Sequence, residues 1–213
     1  MGRRAVLLIT VIPLLAACGG GGAGTSTPTG LPLKATTLQA PPSQAADPEE
    51  LVLNSDDLGA GWIPVPSQTK AISAAEALKG DPAALLKLER PAYRSGYQAL
   101  YANPENLGVL ATIYRYSSAA AARGIFAAGI RYTPKERGVK ALGSPGGGPT
   151  GLRLFSASTK QEGHSVPAYV GMWQRGGDIA TILVVGKGAS AGQVVSLARK
   201  QDRRMALAAP PAA

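Results

Sequence analysis

The sequence predicts an α+β fold: an antiparallel sheet of about five strands with helices packed on one side, in the order helices-ββ-α-βββ-α. Three observations carry this. Strand-like runs follow one another across short turn sequences, Asn103-Pro104-Glu105-Asn106 and Arg175-Gly176-Gly177-Asp178, which favours hairpins over crossovers. The apolar period switches from that of a strand to that of a helix after Ser117-Ser118, and again after Gly188. Lastly, 179–185 is apolar on both faces apart from Thr181, as a central, covered strand should be.

Taken in order, Asp47-Pro48-Glu49-Glu50 has the cap, proline and acids of a helix start, and the helix should end near Leu58-Gly59. Gly61-Trp62-Ile63-Pro64-Val65-Pro66 must be extended, because a residue before proline is pushed out of helical conformation, and Trp62 should seal one side of the core. Short helices are predicted over 73–79 and 81–90. Strands follow over 97–102 and 109–116, then a helix whose buried face is Ala122, Ile125, Phe126, Gly129 and Ile130. After a glycine-rich loop at 144–151, strands are predicted over 152–158, 166–174 and 179–185. A closing helix over 191–206 opens with Ser190 and Gln193 as a capping box and turns Val194, Leu197, Ala198, Gln201 and Met205 inward.

Ahead of this domain stands a targeting segment. Met1-Gly2-Arg3-Arg4 is a basic start, and the apolar run from Ala5 to Leu15 is too short for a span of about 20 residues before Gly19 to Gly22 end it. The chain's single cysteine, Cys18, sits at that junction. Leu15-Ala16-Ala17-Cys18 resembles the lipobox of bacterial lipoproteins, which implies cleavage between Ala17 and Cys18 and attachment of a diacylglyceryl group to the Cys18 thiol. Each buried methylene adds about 0.8 kcal/mol to membrane affinity, so two or three acyl chains make a durable anchor. Arg3-Arg4 leaves the export route open between the general and twin-arginine pathways. The expected organisation is a signal peptide over 1–17, a lipidated cysteine and disordered tether over 18–46, one domain over 47–207 and a disordered tail over 208–213.

Composition narrows the chemistry. With Cys18 outside the domain, no disulfide can staple it, and His164 is the only histidine, so His- or Cys-based metal centres are excluded and neither metal nor cofactor is expected. The net charge is +9, of which Arg3 and Arg4 leave with the signal. From Leu142 onward eight Lys or Arg face three acids, with Arg199, Lys200, Arg203 and Arg204 close together. For an exported protein such a surface suits anionic lipid head groups or envelope polymers, not nucleic acid, or it serves as a solvated helix face.

Candidate sites are few. Gly188-Ala189-Ser190-Ala191-Gly192 matches a hydrolase nucleophile elbow between strand and helix, yet no histidine follows Ser190 as that chain order requires, and a capping serine explains the same letters. Gly186-Lys187-Gly188 lacks the hydroxyl of a phosphate loop. The paired acids Glu49-Glu50 and Asp56-Asp57 read as a solvated helix. Tyr97 with Tyr101, and Tyr114 with Tyr116, share strand faces; if the pairs meet across the hairpin they form a ligand cleft, and otherwise they are cross-strand packing.

Asp57-Leu58-Gly59-Ala60-Gly61-Trp62, the strand running into Ser117-Ser118-Ala119-Ala120, and the closing strand with Leu197-Ala198-Arg199-Lys200-Gln201 are similar to a group of bacterial envelope lipoproteins. The layout also resembles the extracellular sensor-like domain of actinobacterial serine/threonine kinases. The resemblance implies a noncatalytic domain that binds a small or lipidic ligand, or an envelope protein, with no catalytic residues to carry over. The alternatives are a serine hydrolase using Ser190 and a structural surface protein.

Overall fold

Strand β3 (Tyr93–Ala102) turns through Asn103 into β4 (Gly108–Tyr116), and the side-chain oxygen of Asn103 accepts from the backbone N–H of Glu105 and Leu107 to close the turn. The computed structural model describes residues 46–208 except 80, 134–137 and 162. The expected lipobox with Ala17 and Cys18, the tether up to residue 45 and the tail from residue 209 lie outside the described residues.

A second run of antiparallel strands, β6 (Arg153–Gln161), β7 (His164–Arg175) and β8 (Asp178–Val185), folds as a meander. Gly176 takes a φ of 56° at the β7–β8 turn, a conformation that suits glycine. The two units join where β8 pairs antiparallel with β4, from Arg115↔Asp178 to Gly108↔Val185. Strand β8 is therefore central, as its apolar run predicts. The α+β class and antiparallel sheet are those the sequence predicts, but the sheet has eight strands, not about five. The additions are β1 (Ile63–Pro64) and β2 (Lys70–Ala71), both paired with β3, and β5 (Lys140–Gly143), paired with β6. All three are exposed edge strands of two to four residues, too short and too wet to print an apolar alternation.

Helix α6 (Ala191–Ala208) lies across the sheet with Val194, Ala198, Gln201 and Met205 buried beneath it. It meets Val109, Ala111 and Ile113 of β4, Ala180, Ile182 and Val184 of β8, and the fully buried Trp173. The approach is close: a Cβ on Gly171 would come within 2.5 Å of Val194 Cγ1. The single helix expected after Asp47 is instead α1 (Pro48–Leu51) and α2 (Ser55–Leu58). Leu51, Val52 and Leu53 are all core residues, and no helix can turn three consecutive side chains to one side. The helix stops, and Asn54 with Asp57 opens the next by a capping box. Trp62 packs against this core, half-buried.

Three further helices are α3 (Ala74–Ala77), α4 (Ala83–Ala92) and α5 (Ala119–Tyr132). Ser73 and Glu76 cap α3 reciprocally, and Ser118 caps α5. Leu85 and Ala92 of α4 and Ala122 and Ile125 of α5 form a second cluster with Tyr93, Tyr116 and Ile179. Helix α6 ends at Ala208, the residue at which the tail is expected to begin.

Candidate functional site

The sheet register decides the fate of the tyrosines. Tyr97 stands opposite Ile113, whereas Tyr114 stands opposite Gly96. Successive strand residues point to opposite faces, so Tyr97 and Tyr101 project from one side and Tyr114 and Tyr116 from the other. The four do not form one cleft. Tyr101 is buried and donates to the Leu53 carbonyl at 2.8 Å, and Tyr97 donates to the Glu49 carboxylate at 2.9 Å, so this pair docks the α1 segment. Tyr116 instead meets Tyr93 edge to face, with ring centroids 6.1 Å apart. Burial raises the phenol of Tyr93 to about 12 and pushes those of Tyr114 and Tyr116 further above the usual tyrosine range. All three stay protonated, and Tyr93 and Tyr116 use their hydroxyls as donors, to the Ile72 carbonyl and to Glu89.

A pocket does open nearby, at the end of the sheet where the described chain begins and ends. It has a volume of about 290 Å³ and is lined by Ala46, Leu51, Met205 and Ala208, by Tyr116 to Ala119, by Arg115, and by the β7–β8 turn from Arg175 to Asp178. Strand pairing places its polar residues. Arg115 on β4 is registered against Asp178 on β8 and donates to both carboxylate oxygens, Nε at 2.8 Å and Nη2 at 2.9 Å, while Nη1 holds the Ala46 carbonyl at 2.6 Å. Arg175 grips Asp202 of α6 in the same two-pronged way, at 2.7 and 2.6 Å, and Asp202 also accepts from the indole N–H of Trp173. These hydrogen bonds hold both guanidinium pKa values above the ordinary arginine value. Each arginine faces a carboxylate, so the rim is polar without strong net charge, and the rest of the wall is largely apolar. Such a wall suits a small amphipathic molecule better than a bare anion.

Behind Tyr116 lies an unusual pair. Its hydroxyl donates to Glu89 at 3.3 Å, and Glu89 and Asp81 are both buried carboxyls. Desolvation, and then the adjacent Asp81, push Glu89 up to about 9, and desolvation likewise raises Asp81.

The basic residues of α6 divide into two sets. Lys200 donates to the Asp57 carbonyl, and Arg204 pairs with the Asp57 carboxylate at 3.1 Å and with the Glu50 carbonyl at 3.0 Å, so both fasten α2 to α6. Arg199 and Arg203 face solvent. Ser190 is engaged in its cap: its Oγ donates to Gln193 Oε1 at 3.2 Å and accepts from the Gln193 N–H at 3.3 Å. His164 is exposed at the start of β7. Sequence reasoning missed Arg115, Asp178, Arg175 and Asp202, and also Asp81 and Glu89. The two ion pairs join residues 63 and 27 positions apart, a separation that no local pattern encodes.

No protein-family model matches the chain, and no curated protein matches it. Among solved structures, the fold is similar to that of the extracellular domain of PknH from Mycobacterium tuberculosis, with a TM-score of 0.52 at 14% identity over 75% of this chain and 98% of that one. At that identity the likeness is one of fold, and it agrees with the extracellular sensor-like layout that the sequence resembles.

Proposed function

We propose that this protein is an exported lipoprotein, anchored to the bacterial cell membrane through Cys18, whose α+β domain is a noncatalytic sensor-like or accessory module binding a small or lipidic ligand. The observation that carries this reading is the pocket of about 290 Å³ between the β7–β8 turn, the start of α5 and the Ala46 end of the chain. Its partly apolar wall and neutralised arginines suit an amphipathic molecule. The lipobox supports the anchor, and a structural neighbour that is itself an extracellular domain supports the sensor-like role. Among the described residues no helix is long and apolar enough to cross a membrane.

Two experiments test the two halves separately. Native mass spectrometry of protein extracted from its own membrane should show a bound adduct, and Ala119→Trp, at an exposed residue lining the pocket, should remove it. Protein that carries no adduct, or an adduct indifferent to Ala119→Trp, refutes the pocket. Cys18→Ala should release the protein from membranes and abolish the acyl mass. A variant still fully membrane-bound refutes the anchor.

A further inference from the structure

Asp81, just ahead of α4, is 8% exposed, and Glu89, within α4, is 7% exposed. Asp81 Oδ1 and Glu89 Oε2 have no donor among the described residues. The two buried carboxyls act on one another, which favours the protonated form of Glu89 and the ionised form of Asp81. Two adjacent carboxylates in an apolar setting cannot both stay ionised; one proton between them turns repulsion into a hydrogen bond.

Among the described residues, no buried counter-charge faces the pair. Strand β3 presents Tyr93, whose hydroxyl is committed to the Ile72 carbonyl at 2.6 Å, and β4 presents Tyr114 and Tyr116. Helix α3 contributes Glu76, whose charge raises the Tyr93 phenol and which is itself paired with Lys70. Helix α5 packs Ala122 and Ile125 into the cluster while its Arg123 and Arg131 are exposed, and Lys87 and Arg90 of α4 are exposed as well. Among the described residues, every titratable side chain buried around the pair is neutral or acidic.

We propose that the proton shared by Asp81 and Glu89 is a latch that holds α4 against α5 and the sheet, and that its loss at alkaline pH frees α4 and bares Tyr93, Tyr116 and Ile125. Tyr116 belongs to both structures, donating to Glu89 and lining the pocket, so opening the latch also loosens one pocket wall. The direction follows from linkage. Folding raises Glu89 from the ordinary carboxylate value to about 9, so the folded chain retains a proton that the unfolded chain has lost. The stabilisation is complete below the ordinary carboxylate range and disappears as pH climbs toward the raised value.

Amide hydrogen exchange on the full chain, followed by mass spectrometry at about pH 6 and about pH 10 with the intrinsic rates divided out, tests the latch. Between the ordinary carboxylate range and the raised value, the opening constant over 83–92 should climb by up to about tenfold per pH unit, because opening releases one proton there, and it should level off above the raised value. Amides of α6 should change far less. Glu89→Gln keeps a donor toward Asp81 and should flatten the dependence. An α4 whose protection ignores pH in the wild type overturns the latch, and so does an equal pH-dependent loss in Glu89→Gln. If that variant fails to fold, carbon-13 titration of the wild-type carboxyls decides: one carboxyl still protonated above about pH 7 supports the latch, and both ionised by about pH 6 overturns it.

Discussion

Asp202 shows how much a single side chain can hold. It accepts the indole N–H of the fully buried Trp173 and both prongs of Arg175, so it pins α6 to β7. Asp202→Ala strands a buried donor and should lower stability by about 2–3 kcal/mol, read as a lower midpoint in urea, with Asp202→Asn losing less. Asp178→Asn should weaken the grip of Arg115 on both β8 and the Ala46 end, at a cost of about 1.5–3 kcal/mol by the same measurement. At this scale the sequence was legible wherever an interaction is local. The caps by Asp47 and Ser190 are visible in neighbouring letters, as the later structure bears out. The arginine clamps were not, because each acid reaches its partner only after the sheet has assembled.

The elements were read with similar unevenness. The five longer strands and the helices α5 and α6 announce themselves by period and caps, since each buries a continuous stripe or face. The edge strands β1, β2 and β5 do not, and the split between α1 and α2 shows only once Leu51, Val52 and Leu53 are seen to be buried together. Two predictions belong here. Gly171→Ala should force Val194 and Leu152 aside and cost about 1–3 kcal/mol, because the added methyl has nowhere to go under α6. Ser118→Ala removes the oxygen that accepts from Ala121 N–H and should cost about 1 kcal/mol, with faster hydrogen exchange at the start of α5.

For the molecule as a whole, stability rests mainly on the two larger clusters, one on each face of the sheet, and no disulfide contributes to the domain because Cys18 precedes it. A reductant should therefore leave the thermal unfolding midpoint unchanged; a drop on reduction would contradict that account. The acid pair should also make the domain less stable near pH 9 than near pH 5, by the linkage already derived, and scanning calorimetry at the two pH values checks it. What the sequence determined by itself was the class, the order of the long elements and the capping role of Ser190, since all of these depend on residues near one another in the chain. Only the tertiary structure decided that the tyrosine pairs part to opposite faces, that Lys200 and Arg204 are drawn into holding α2, and that Asp81 meets Glu89. Strand register sets the first of these, packing of α6 on α2 sets the second, and burial of α4 against the sheet and α5 sets the third, none of which a local sequence pattern encodes.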